Sequence, residues 1–173
     1  QNMISAKYDV IIIGAGPSGT SAAITLGKKG VKVLLLESKT FPREKPCGGF
    51  ISQKTLDLME ISVHSFLTEN VIRSLRLYNS RYEWINTNHR ELLGITVLRS
   101  SFDQYLAEEA RRLGADLRTG ERVYHVMQTD DKVEVVTEKG RYEGRYAVAA
   151  DGVFSSIARI LGIQARFLNL KTG

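Results

Sequence analysis

The stretch that most constrains this chain is Tyr8 to Gly19, YDVIIIGAGPSG. Val10 to Ile13 is an unbroken apolar, β-branched run of strand length. Such a run predicts a strand buried on both faces, as in a parallel sheet. It leads directly into Gly14-Ala15-Gly16-Pro17-Ser18-Gly19, a G-x-G-x-x-G loop. Thr20 to Lys29 predicts a helix, with Ala22 and Ala23 small enough to lie close to the strand. A second apolar run, Val31 to Leu36, ends in Glu37. The whole is a β-α-β unit of about 30 residues with an acid at its tip.

Each part has a physical task. Gly14 permits a tight turn, Gly16 removes a side chain where a pyrophosphate would approach the backbone, and Gly19 lets the helix pack on the strand. The helix N-terminus offers free N–H groups and the positive end of its dipole to phosphates. Glu37 can accept hydrogen bonds from ribose hydroxyls, which favours a dinucleotide with a free 2′-hydroxyl, FAD or NAD rather than NADP. The simpler alternative is a glycine-rich turn with no ligand. The strand before the loop, the helix after it and the acid about 20 residues on weigh against that alternative.

The rest of the composition sets bounds. A chain of 173 residues is about one domain with a real core. With 43% hydrophobic and 25% charged residues it reads as an ordinary globular protein. The net charge of +5 suits an anionic cofactor or loose attraction to an anionic membrane surface, although a solvated basic surface is the commoner source of such charge. The basic residues are scattered and no aromatic-rich basic motif accompanies them, so nucleic acid is not an expected partner. Cys47 is the single cysteine, which leaves no disulfide and no cysteine zinc cluster, predicts no metal site and is compatible with the cytoplasm. No apolar run approaches the roughly 18 residues of a membrane span. The N-terminal apolar segment is a short strand followed at once by the glycine loop, unlike a signal peptide.

After Glu37, residues Ser38 to Phe50 carry two prolines and the pair Gly48-Gly49, predicting a loop of fixed path in which Arg43 and Lys45 could face phosphates. Cys47 is either a redox-active or substrate-facing thiol, or a small buried residue, the last being commoner. Ser52 predicts the cap of a helix to about Glu60. His64 reads as a surface residue. The period then changes: Ile72, Leu75 and Leu77, then Tyr82 and Trp84, then Ile95 and Val97 predict short strands broken at Asn79-Ser80 and at Asn86 to Arg90. This is an antiparallel insert of about residues 65–97. Tyr78, Tyr82 and Trp84 are expected in strand packing sooner than in an apolar site. Ser100 or Ser101 predicts the cap of a helix with the stripe Phe102, Leu106, Ala110 and Leu113, stopped by Gly114. Ala115 to Arg118 returns to the parallel sheet. Glu121 to Gln128, Lys132 to Glu138 and Arg141 to Tyr146 predict a β-meander, followed by a separate buried strand, Ala147 to Ala150, closing in Asp151-Gly152. Ser155 predicts the start of a last helix, ended by Gly162. A meander between two parallel strands is the crossover of flavoprotein Rossmann domains.

The chain resembles FAD-dependent oxidoreductases of the p-hydroxybenzoate hydroxylase fold and, more narrowly, the geranylgeranyl reductase family. Four segments carry the resemblance: YDVIIIGAGPSG with Glu37, KPCGG at Lys45 to Gly49, LRSSFDQYLAEEARRLGA from Leu98, and AVAADGVFSSIARILGI from Ala147. It implies an α/β fold over residues 4–173, a Rossmann-like FAD-binding domain with a central parallel sheet, the meander crossover and the inserted antiparallel region. Gly14, Ala15, Gly16, Pro17, Ser18 and Gly19 would hold the pyrophosphate, and Glu37 with Ser38 the adenosine ribose. Cys47 and Gly48 would lie near the flavin or its ribityl chain, with Cys47 the candidate catalytic, substrate-proximal residue. Arg99 would reach toward the FAD, and Val123 would offer its backbone to the adenine edge. Asp151 and Gly152 would support the cofactor and the approach of a nicotinamide donor.

The family implies reduction of C=C bonds in geranylgeranyl or other polyprenyl lipids, with electrons from NAD(P)H or another donor. It also implies a cytoplasmic protein that touches the membrane holding its prenyl-lipid substrate. Such reductases run to about twice this length and carry a later Gly-Asp motif and an aromatic-rich substrate motif, so the chain is expected to be an N-terminal portion. Two rivals share the features: a flavin monooxygenase or halogenase of the same fold, which KPCGG weighs against, and a binding module with no flavin turnover. Intact Gly14, Gly16, Gly19 and Glu37 argue against the module, which would need none of them.

Overall fold

The computed structural model describes residues 4–88 and 92–163. In chain order the elements are β1 (Ile4–Ile13), α1 (Pro17–Lys28), β2 (Val33–Leu36), β3 (Phe50–Ser52), α2 (Gln53–Leu58), β4 (Thr68–Ile72), β5 (Ser74–Tyr78), β6 (Trp84–Asn88) and β7 (Gly94–Val97). They continue with α3 (Arg99–Arg112), β8 (Asp116–Arg118), β9 (Val123–Gln128), β10 (Val133–Thr137), β11 (Arg141–Ala149) and α4 (Ser156–Ile160). They fall into two compact units, Gln1–Phe41 with Leu106–Gly173, and Pro42–Tyr105.

The first unit is built on a six-stranded sheet of order β8-β2-β1-β11-β10-β9. β1 pairs in parallel with β2 on one side and β11 on the other, and β2 pairs in parallel with β8. β10 is antiparallel to both β9 and β11, which makes the meander. Ile11, Ile12, Leu34 and Leu35 are fully buried, as the unbroken apolar runs require. α1 closes one face with Gly19, Thr20, Ala23 and Ile24. This is an α/β Rossmann-type sheet with a meander crossover.

The meander strand and the small-residue strand expected after Tyr146 are one element, β11. Its first half is held between β1 and β10 up to Gly144, and its second half pairs with β1 alone. That change of neighbours explains why alternation gives way to an apolar run without a break. It also leaves Ala147, Val148 and Ala150 only half-buried and Ala149 exposed, rather than enclosed.

A polar network, buried at Glu121 and Tyr142 and half-exposed at Asp116 and Arg118, ties the sheet to the meander. The Tyr8 hydroxyl donates to Asp116 (2.5 Å), and Arg118 donates to Asp116 (3.0 Å) and to the Tyr142 hydroxyl (2.9 Å). Tyr142 and Thr137 each donate to Glu121 Oε1 (2.6 Å). Burial, then the bond to Asp116, push the Tyr8 phenol up to about 12.

The second unit holds a three-stranded antiparallel sheet, β3-β7-β4, and a two-stranded hairpin, β5-β6. Ser52 caps α2 as expected, accepting from the Thr55 N–H (3.2 Å). The helix stops at Leu58 instead of Glu60, because none of its residues is buried and nothing packs there to prolong it. Strand β6 runs through Asn86 to Asn88, where a break was expected, and 89–91 lie outside the described residues. The break at Asn79 is real: its side chain accepts from the Arg81 and Glu83 N–H groups (2.9 and 3.0 Å). Tyr82 sits in that turn at φ 60°, not in a strand. Tyr78, Tyr82 and Trp84 are 58%, 84% and 55% exposed, so the expected strand packing is absent. A two-stranded sheet has no second layer to bury them, and Trp84 instead stacks under the Arg76 guanidinium at 4.8 Å. α3 begins at Arg99, ahead of both predicted serine caps, because Arg99 joins the helix to pair with Asp103 one turn on.

The core of β2 gives the first test. Leu35→Ala empties a fully enclosed site and is expected to cost about 2–5 kcal/mol of unfolding free energy, read from the denaturant midpoint of the two chains.

Candidate cofactor site

The carboxyl ends of β1, β2 and β11 lie side by side, with Ile13 opposite both Leu36 and Ala149. Sequentially, β1 leads through α1 to β2 on one side, while β11 arrives from the meander on the other. That makes β1 the topological switch point, where open α/β sheets place their ligands.

Three segments emerge at this edge. The glycine loop is stitched to its neighbours by Gly14 N–H to the Leu36 carbonyl and by Ala150 N–H to the Ile13 carbonyl (2.8 Å each). Gly14 has φ +103°, and a β-carbon there would run into the Ala150 carbonyl. Its glycine is needed for conformation and for close approach at once. Gly19 packs its Cα against the Gly14 carbonyl, so the third glycine fits helix to loop.

Among the described residues, no side chain caps the mouth of α1. Gly16 provides no side-chain cap, Pro17 stands in the first turn, and that turn contains no acid. Thr20 already bonds back to the Gly16 carbonyl through N–H and hydroxyl (2.9 Å each), whereas the Ser18 and Gly19 N–H groups have no carbonyl within the helix to meet. This is a seat for a dianionic pyrophosphate.

Glu37 follows β2 and is 7% exposed. Its Oε2 accepts from the Ala15 N–H (3.1 Å), and its Oε1 accepts from the Lys39 N–H (3.0 Å) and the Ser38 hydroxyl (3.3 Å). The acid expected for the ribose is therefore also the lock of the glycine loop. The Glu121 N–H donates to the Glu37 carbonyl (2.9 Å), bringing the lead-in to β9 alongside. Val123 opens β9 there, opposite Thr137, with its side chain in the core.

Asp151 follows β11. Its carboxylate accepts from the Ser155 hydroxyl (2.6 Å) and from the Ser156 and Ile157 N–H groups (2.7 and 3.1 Å). The side chain is thus committed to the start of α4, whose cap is Ser155, accepting from Ala158 N–H (2.9 Å). Burial alone would raise this carboxyl, but the Ser155 hydroxyl and the two N–H groups outweigh it and hold it below the usual range. Gly152, at φ +91°, has open space beyond its Cα.

Cys47, Gly48 and Arg99 belong to the second unit. Cys47 is exposed, and its sulfur receives the Gly49 N–H at 3.4 Å. That bond first, and Arg99 second, lower the thiol below its ordinary value. Arg99 is held by Asp103, a buried carboxylate that the sequence reading passed over. The i,i+4 spacing of Arg99 and Asp103 was the available signal. Gly14 to Gly19, Glu37, Ser38, Val123, Asp151 and Gly152 are brought together in the first unit. Among the described residues no group of acids, His and Cys is placed to hold a metal, and no helix is long and apolar enough to cross a membrane.

A glycine loop, an uncapped helix mouth and a strand-end acid, at the carboxyl edge of a parallel sheet with a meander crossover, define a dinucleotide-binding flavoprotein fold. The profile of the FAD binding domain family matches residues 7–169, and the chain belongs to that family. An uncharacterized protein of Methanosarcina barkeri is 31% identical over 170 residues, covering 96% of this chain and 43% of its own length. A geranylgeranyl bacteriochlorophyll reductase-like protein from Thermoplasma acidophilum superposes with a TM-score of 0.83 at 26% identity, over 94% of this chain and 43% of that one. A halogenase solved with FAD shares the fold at TM-score 0.73 and 21% identity, over 91% of this chain and 36% of that one. The chain thus spans about 40% of the length of these proteins. FAD is the cofactor, and the features that fit it here are the uncapped helix mouth, the pinned Glu37 carboxylate and the open backbone at Gly152.

Two outcomes follow. Glu37→Gln removes the charge that orders Ala15 and meets the ribose. It is expected to weaken FAD binding by tenfold or more, since a hydrogen bond to a charged group is worth about 1.5–3 kcal/mol, as read by flavin fluorescence titration. The depressed Asp151 carboxyl stabilises the fold fully above its unfolded value of about 4, and that contribution is lost as pH falls through the lower folded value. Asp151→Asn is expected to flatten this acid limb and to cost about 1 kcal/mol at neutral pH, measured by thermal unfolding against pH.

Proposed function

We propose that this chain is the FAD-binding portion of a flavin-dependent reductase that saturates isolated C=C bonds in polyprenyl lipids, geranylgeranyl chains among them. The observation that carries this reading is the Lys45–Gly49 segment, KPCGG, with an exposed thiol at its centre whose sulfur accepts from the Gly49 N–H. The resemblance to the reductase-like protein of Thermoplasma acidophilum over 94% of the chain supports it. FAD, when bound, takes two electrons from a donor such as NAD(P)H and supplies them as hydride. The chain's own residues bind and orient: the α1 mouth holds the diphosphate, Glu37 with Ser38 the ribose, and the backbone from Ala150 to Gly152 closes the same edge. Cys47 is the residue assigned next to flavin or substrate. The net charge of +5 favours contact with an anionic membrane from the cytoplasmic side, where a prenyl lipid would be met.

The test is to purify the chain with FAD, add reductant and a geranylgeranyl lipid, and follow both flavin absorbance through gel filtration and lipid mass. Retained flavin with lipid gaining two hydrogens per reduced bond is the expected result, with Cys47→Ala slowing it. Hydroxylated or halogenated product would assign the chain to the oxygen-consuming branch of the fold. Failure to retain flavin would favour a binding module.

A further inference from the structure

Two guanidiniums in the second unit share one carboxylate. Asp103, one turn into α3, is fully buried. Arg99 grips it at two points, Nε to Oδ1 at 2.8 Å and Nη2 to Oδ2 at 2.9 Å, the strong bidentate geometry. Arg43 reaches the same Oδ2 through Nη2 at 3.2 Å. The Arg99 and Arg43 side chains are only 18% and 9% exposed.

The loop that carries Cys47 is therefore anchored at both ends. At one end Arg43 is tied to α3 through Asp103. At the other, Val97 N–H donates to the Gly49 carbonyl (3.0 Å), and Gly49 sits at φ +68° with its Cα against the Val97 carbonyl. Val97 lies two residues before Arg99, so both anchors end on the same strand-to-helix junction. Cys47 is the exposed residue between them. Glu44 and Lys45 of the same loop are exposed, which leaves Arg99 and Asp103 as the charges acting on the sulfur.

We propose that Asp103 is a positioning residue: its two-point grip fixes the Arg99 guanidinium toward the Cys47 sulfur, and its bond to Arg43 holds the loop that presents that sulfur. The alternative role, a plain counter-charge, predicts the opposite sign. A carboxylate acting only as a nearby negative charge disfavours the thiolate, so its removal would make Cys47 more acidic. A carboxylate acting through Arg99 favours the thiolate, so its removal makes Cys47 less acidic. Arg99 lowers the thiol while the Asp103 charge by itself raises it, so the sign of the Asp103→Asn effect separates the two roles.

Cys47 is the single cysteine of the chain, so the thiol can be read directly. The experiment measures iodoacetamide alkylation of the intact chain against pH by mass spectrometry. Alkylation follows the thiolate fraction, and Asp103→Asn is expected to slow it about threefold or more at pH 7. Arg99→Gln should slow it as much, and adding Asp103→Asn to Arg99→Gln should slow it no further, because one acts through the other. Arg99→Lys keeps the charge, loses the two-point grip and leaves Asp103 paired with Arg43. It should behave like Arg99→Gln, and it decides the matter even where circular dichroism shows Asp103→Asn unfolded. Faster alkylation in Asp103→Asn, additive slowing in the double variant, or wild-type rates in Arg99→Lys would each overturn the assignment. The assay needs neither flavin nor lipid, so its failure and that of the reductase reading are separate events.

Discussion

The first unit depends on β1 having a parallel partner on each side. With β2 on one flank and β11 on the other from Val10 to Ile13, the backbone there is paired on both sides, and Ile11 and Ile12 can be sealed from water on both faces. Every ligand-facing feature inherits its position from that arrangement. The glycine loop leaves from the end of β1, Glu37 from the end of β2 and Ala150 from the end of β11. The three are then joined by bonds among themselves, of which Ala15 N–H to the Glu37 carboxylate is the most telling, because a side chain at the end of one strand shapes the loop that leaves another.

The parts of this arrangement that could be read from the chain are those whose physics is local. A β-branched run, a glycine loop, a helix and a strand-end acid within about 30 residues leave few other ways to fold. The Ser52 and Ser155 caps were legible for the same reason, a side chain satisfying N–H groups a few residues away. Asp103 was half-legible: its spacing from Arg99 showed, but its burial and its hold on Arg43, 60 positions earlier, did not. The network of Tyr8, Asp116, Arg118, Tyr142 and Glu121 left no trace, because Tyr8 and Tyr142 are far in the chain from the 116–121 segment that they meet. Tyr82 misled because an aromatic between alternating residues looks like strand, while the turn is set by the Asn79 side chain.

The two units manage polar groups differently. In the first, the buried Glu121 is matched by two hydroxyl donors, and the half-exposed Arg118 bridges an acid and a phenol. In the second, among the described residues, buried charge is gathered where Asp103 meets Arg43 and Arg99, and the hairpin keeps its apolar side chains in solvent. Buried charge that loses one partner is costly, so both arrangements tie local order to a small number of side chains.

Strand β11 carries a further consequence, for how such a domain can drift in sequence. The turns of the meander, at 129–132 and 138–140, can change length at the modest cost of a longer loop. A residue inserted into β11 itself has no such freedom. It would slip the register against β10 and against β1 in one stroke, turning inward-facing side chains outward on two neighbours at once, and would carry Asp151 and the start of α4 one place along the edge. The nine-residue length of β11 is thus a ruler shared by the crossover and the cofactor edge. Homologous chains would be expected to vary in every connection around it before they vary in its count.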